Sequence, residues 1–142
     1  MLTADTAIAE LLTQTRRIAV VGASPNPERA SNRVLQFLIA QGYDVVAVNP
    51  GHAGGTIHGA PVVATLAEAK GHWGALDMVD IFRNSDDAGG VVDEAIAHGA
   101  TSVWMQLGVI NTGAAERAEA AGLTGVMDRC PKIEIPRLGL LK

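Results

Sequence analysis

A single cysteine, Cys130, stands in 142 residues. That excludes an internal disulfide framework and any zinc site built on several thiolates. Aromatic residues make up only 4% of the chain, so the interior has to be built from Val, Ile, Leu and Ala. No apolar run approaches the ~18 residues that a membrane span requires. The opening "MLTADTAIAELL" lacks the basic-then-apolar order of a signal peptide. Cationic side chains are scarce too: 11 Lys and Arg stand against 15 Asp and Glu, for a net charge of -4. A broad basic face for nucleic acid is therefore not available, although a local anion site of backbone amides and a few arginines remains open. With 48% hydrophobic and 18% charged residues, a sizeable core forms and global disorder is excluded. The expectation is a soluble cytoplasmic protein with a single domain over residues 1–142.

Catalytic signatures are also missing. There is no Gly-x-Ser-x-Gly elbow. His52 and His58 are six apart, which matches no strong metal pattern. Asp77 and Asp80 are three apart on an expected strand, so they face opposite sides and cannot share a proton. Cys130 is the sole candidate nucleophile. Arg129 and Lys132 beside it would favour a thiolate, but no histidine is placed next to it by sequence. The other reading is a buried, inert cysteine.

What is present is an alternation of two patterns. Short β-branched runs recur at Ile18–Gly22, Tyr43–Val48, Leu76–Phe82, Ser102–Gln106 and Thr124–Met127, with Pro61–Val63 as a short sixth. Near-continuous apolar runs suit strands covered on both faces, as in a parallel sheet. Between them lie helical patterns. Asp5 is expected to cap a first helix. The stretch "SNRVLQFLIAQG" sets Val34, Leu35, Leu38 and Ile39 on one stripe before a glycine stop at Gly42. Thr65 and Glu68 have capping-box spacing. Ser85 and two aspartates open a further helix, in which Gly89 and Gly90 cost about 1 kcal/mol each relative to alanine, so its C-terminal half is expected to be the better formed. Asn111 caps a helix that Gly122 ends. The repetition implies right-handed crossovers and an α/β, Rossmann-like three-layer sandwich with a mainly parallel sheet of five or six strands.

Ligands of such sheets sit beyond the strand carboxyl ends, where strand order reverses. Gly22 follows the first strand directly and lets backbone approach a phosphate. The amides of Ala23 and Ser24, with the Ser24 hydroxyl, are candidate donors. Pro25 and Pro27 supply none and delay the next helix to about Ala30 or Ser31, where Arg29, Ser31, Asn32 and Arg33 gather at its positive end. On this reading Gly22 serves ligand approach, and its replacement leaves the fold intact. Asn49 and Pro50 end the second strand. An acidic residue is usual there for the ribose of NAD, and the first loop lacks the second and third glycines of a dinucleotide motif. "GHAGGTIHG", residues 51–59, reads as a flexible loop that brings His52 near a phosphate or is simply exposed. Phe82 and Arg83 at a strand end suit a base and a phosphate, or core and solvent. Gln106 breaks an apolar run at another strand end.

These residues carry a resemblance. "IAVVGASPNPERASNRVLQFLIAQGYDVVAVNPG", "VDIFRNSDDAGGVVDEAIAHGATSVWMQLGV" and "AEAAGLTGVMDRCPKIE" resemble the small CoA-binding proteins of the YccU-like family, in order from about Arg17 to Glu134. "NPGHAGGTIHGAPV" is similar to a loop in the CoA-binding domain of the succinyl-CoA synthetase α chain. The resemblance implies that Gly22–Pro25 meets CoA phosphates, that Asn49 and Pro50 lie near the nucleotide, and that Phe82, Arg83 and Met105–Leu107 line the rest of the pocket. His52 stands where the synthetase loop has a phosphate-contacting lysine, so Arg29 or Arg83 is the alternative source of charge. Ile135 stands where the family often has histidine, and the synthetase's phosphohistidine domain has no counterpart. The expectation is a binder of CoA or an acyl-CoA that is not catalytic alone, with self-association and an acyl-transfer partner protein left open. The rivals are an NAD(P)-binding oxidoreductase or regulator and an interaction module with a vestigial pocket.

Overall fold

The computed structural model describes residues 1–142. Seven strands form one sheet, β1 (Arg17–Val21), β2 (Asp44–Val48), β3 (Thr56–Ile57), β4 (Ala60–Val63), β5 (Met78–Ile81), β6 (Ser102–Met105) and β7 (Thr124–Val126). Their order is β3-β4-β2-β1-β5-β6-β7, and every pairing is parallel except β3 with β4. Six α-helices complete it: α1 (Asp5–Gln14), α2 (Ala30–Ala40), α3 (Leu66–Trp73), α4 (Ser85–Ala97), α5 (Thr112–Ala120) and α6 (Pro131–Arg137).

The strands are apolar throughout because both faces are covered. Val21, Val48, Ile81 and Met105 face one cluster with side chains of α3, α4 and α5. Val20, Ala47, Met78 and Trp104 face the other, with side chains of α1, α2 and α6. This is a Rossmann-like three-layer sandwich. The chain leaves β1 toward β2 and β4, then crosses back to lay β5 on the other side of β1. The strand order therefore reverses between β1 and β5, and their carboxyl ends are where such a sheet opens a crevice.

Several sequence expectations meet the structure differently. The sheet has seven strands, not five or six. The extra strand, β3, lies inside the supposed flexible loop. His58 and Gly59 both have positive φ (49° and 86°), which makes the tight turn that right-twisted hairpins favour. Asp5 is not the cap of α1; Ala4 occupies that position, and Asp5 instead takes two hydrogen bonds from Arg137 at 3.0 and 2.8 Å. Ser85 and the two aspartates do open α4, and Asn84 caps it by accepting from the Asp87 amide at 2.8 Å. The glycines do not spoil that helix, which runs from Ser85 to Ala97. Gly89 is a contact point: a Cβ there would lie 3.1 Å from Asn111 Nδ2, so glycine lets α4 lie close against the start of α5. Helix α6 was not anticipated, because Pro136 inside it masks the helix-opening signal of Pro131.

Candidate functional site

The site is organised around Gly22. Its φ is 85°, and a Cβ would sit 2.2 Å from the Phe82 carbonyl oxygen. The two chain segments are locked side by side, since the Phe82 amide donates to the Val21 carbonyl at 2.8 Å and the Gly22 amide to that of Val48 at 3.1 Å. Glycine is thus demanded by the β1–β5 backbone contact itself. Its replacement, expected from the sequence to leave the fold intact, meets strain at this contact.

Beyond Gly22 the loop is held in shape by its own polar groups. Ser24 Oγ accepts from the Asn26 amide at 3.1 Å, and Asn26 Oδ1 from the Glu28 amide at 3.0 Å. Asn49 Nδ2 donates to the Ala23 carbonyl at 2.7 Å, and Asn32 Nδ2 to that of Ser24 at 3.0 Å. Arg33 donates to the carbonyls of Pro27 and Glu28. The amides of Ala23, Ser24, Ala30 and Ser31, by contrast, donate to no protein acceptor. They surround a cavity of about 390 Å³ lined by Gly22, Ala23, Ser24, Arg29, Ser31 and Asn49 among others. Free amides at a strand end and at the N-terminus of a helix, with the exposed Arg29 at the rim, make a concentrated anion-binding surface. Pro25 is exposed outside this cavity.

Phe82 borders this cavity and two more. One, of about 470 Å³, lies over Val48, Asn49, Pro50, Thr65 and Arg83. The other, of about 270 Å³, lies over Ala30, Val34, Gln106, Leu107 and Cys130. The three adjoin one another along the carboxyl edge of the sheet. Asn49 contributes mainly structure here: its Oδ1 accepts from Gly51 at 2.9 Å while its amide holds the Ala23 loop. Arg83 is half exposed and ion-paired to Asp87 at 3.0 Å. His52 is exposed in the turn Pro50–His52 and borders none of the three cavities. His58 is the histidine that joins the framework, its Nε2 lying 2.7 Å from Asn32 Oδ1.

Behind Gln106, at the smallest of these three cavities, lies a group that the sequence singled out only as a partner for Asp77. Asp80 is fully buried, and Gln106 Nε2 donates to both its oxygens at 3.0 and 3.2 Å. Burial pushes its carboxyl up to about 8, against the smaller opposing effects of Gln106 and the Ile81 backbone. The available signal was a carboxylate inside an unbroken apolar strand. Cys130 is half-buried at the start of α6. Burial pushes its thiol up and outweighs the opposing backbone hydrogen bonds from Lys132 and Ile133; the Lys132 charge is the smallest of the opposing effects. Arg129 is ion-paired to Glu134 at 3.0 Å. The expected cationic activation of Cys130 is therefore not built into this fold. No cluster of His, Cys, Asp or Glu stands where a metal could be held.

Residues 16–136 match a family described as a CoA binding domain. The chain belongs to that CoA-binding domain family. A Bacillus subtilis (strain 168) relative, "Uncharacterized protein YneT", is 36% identical over 89% of this chain and 90% of its own. A solved "hypothetical protein from Pyrococcus horikoshii OT3" superposes with a TM-score of 0.88 at 36% identity, covering 96% of this chain and 92% of that one. RSP, a Rex-family repressor solved in complex with beta-NADH, matches with a TM-score of 0.57 at 15% identity, over 94% of this chain and 62% of its own. At that identity the likeness is one of fold alone.

Proposed function

We propose that this chain binds coenzyme A or an acyl-CoA along the carboxyl edge of its sheet and acts as a carrier or sensor of it rather than as an enzyme alone. The observation that carries this reading is the run of three adjoining cavities around Phe82, with four uncommitted amides in the middle one. The ligand is long and jointed, with a diphosphate between a nucleoside and a pantetheine arm. In this reading the diphosphate lies over Ala23, Ser24 and the start of α2, with Arg29 supplying charge. The nucleoside takes the side of Pro50 and Thr65. The pantetheine arm passes Phe82 toward Gln106 and Cys130. Family membership supports this assignment at the level of the ligand class.

The same edge argues against independent catalysis. The Cys130 thiol has no histidine or carboxylate hydrogen-bonded to it, and Ile135 is buried in the core. A dinucleotide is the rival ligand, on the fold likeness to RSP. Asn49 disfavours it, because its side chain is spent on the Ala23 and Gly51 backbone and carries no charge for a ribose. Calorimetric titration with CoA, NADH and NAD separates these readings. Saturable binding of CoA with no binding of the dinucleotides is the expected result. Binding of NADH alone would replace the ligand, and binding of neither would leave an interaction module.

A further inference from the structure

Large apolar side chains are exposed at only a few places, and two of the four border one end of the site. Leu107 (62% exposed) and Ile110 (50%) lie in the segment after β6, and Ile133 (53%) lies on α6. Leu107 and Ile133 border the cavity over Gln106 and Cys130. They also border a separate groove of about 330 Å³ that continues past Met127 and Leu2. The cavity and the groove meet at Leu107, Cys130 and Ile133. The channel therefore does not end where a pantetheine thiol would arrive; it runs on as an apolar trough.

Of the polar side chains around this trough, Asp128, Arg129 and Glu134 are already engaged, and the exposed Thr3 is left open. Arg129 is bound to Glu134 at 3.0 Å, and Glu134 also accepts from Arg137. Asp128 Oδ1 accepts from the Gly108 amide at 2.7 Å. Trp104 Nε1 donates to the Arg129 carbonyl at 2.8 Å. An apolar occupant over Leu107 and Ile133 would leave these bonds in place, and burial that breaks no hydrogen bond is favourable. Exposed apolar surface of this kind, placed beside a ligand cavity, marks a binding surface.

We propose that the groove between Leu107 and Ile133 receives a straight acyl chain, so that the ligand of the site is a fatty acyl-CoA rather than free CoA. This rests on the CoA reading above. The occupant is an acyl chain rather than a protein segment because the groove is continuous with the cavity that would hold the pantetheine end.

The test is a calorimetric series with CoA and with butyryl-, hexanoyl- and octanoyl-CoA below their micelle concentrations. It is run on the natural chain and on the double variant Leu107→Gln, Ile133→Gln, whose substituted positions are exposed. The readout is the ratio of octanoyl-CoA to CoA affinity within each protein, which cancels any loss common to both ligands. The natural chain should gain up to about fourfold per added methylene, and the double variant should lose most of that gain. Equal affinity for CoA and octanoyl-CoA overturns the proposal, and so does a chain-length gain that survives the double substitution. Free octanoate binding as tightly as octanoyl-CoA overturns it as well, by showing a non-selective surface. Failure of every thioester and of CoA itself removes the CoA reading beneath it, and is distinguishable from the other outcomes.

Discussion

Gly22 and Phe82 meet backbone to backbone, at a separation that leaves no room for a Cβ: one built on Gly22 would lie 2.2 Å from the Phe82 carbonyl oxygen. The left-handed φ of 85° at Gly22 and the close approach act together. Gly22→Ala should therefore destabilise the fold by at least about 2 kcal/mol, given that strained left-handed non-glycine residues alone cost of order 1–3 kcal/mol. Urea unfolding measures it. A variant as stable as the natural chain would mean that the β1 and β5 ends separate at little cost.

Arg29 and Arg83 should differ as phosphate ligands. Arg29 is exposed at the cavity rim with no acidic partner, whereas Arg83 is already paired to Asp87. Arg29→Ala should weaken CoA binding by roughly 1.5–3 kcal/mol, the range for hydrogen bonds to charged groups, and the loss should shrink as salt rises. Arg83→Ala should cost less, because its charge is shared. Titration at two ionic strengths decides the order, and a larger loss for Arg83 would reverse the assignment.

Asp80 should make stability fall as pH rises. Its carboxyl titrates at about 8 in the folded chain and near 3.9 when unfolded. Between those values the folded state holds a proton that the unfolded state has released. The stability from the neutral carboxyl is complete below about pH 4 and is lost progressively as pH rises through about 8. Asp80→Asn keeps a neutral group of similar shape, and Gln106 is able to turn its amide to match. Denaturation at pH 5, 7 and 9 should show a downward slope in the natural chain and a flatter one in the variant. Parallel slopes would mean that Asp80 is ionised at neutral pH.

The adjacent glycines of α4 should respond in opposite directions. Gly90 is exposed, and a Cβ there would meet nothing within 4 Å. Gly90→Ala should raise stability by up to about 1 kcal/mol through helix propensity. Gly89 faces Asn111, which is pinned by its bonds to the Ser85 carbonyl and the Ala114 amide, both 3.0 Å. Gly89→Ala should therefore lower the melting temperature while its neighbour raises it. A stabilised Gly89→Ala would show that the α4–α5 contact yields easily.

Much of this architecture was legible because it is periodic. The β-branched runs from Ile18 to Met127 located six of the strands, and the stripe on α2 and the caps at Thr65 and Asn111 located helices. The missing pieces depend on contacts that no local pattern encodes. β3 exists because His58 and Gly59 turn the chain back on β4, and two residues carry no periodicity. α6 is seven residues with an internal proline, below the length at which a pattern declares itself. At the site, the strand-end rule brought out Gly22, Phe82 and Gln106, since chain order alone places them. It could not show that Arg129 turns toward Glu134 and away from Cys130, or that His58 rather than His52 joins the framework. The first depends on α6, whose existence the sequence did not announce, and the second on Asn32, 26 residues away along the chain.

Both margins of the sheet are blunted. On one side lies β3, two residues long and antiparallel to its neighbour. On the other, the Leu2 amide donates to the Gly125 carbonyl of β7 at 2.7 Å. A long, bare strand margin invites another chain to add itself as the next strand, and these two offer little to extend. Growth of the sheet from one molecule into the next is disfavoured at either end. Copies of this chain that associate would therefore meet through helices or through the loops at the carboxyl edge, and in the second case assembly would be joined directly to occupancy of the pocket.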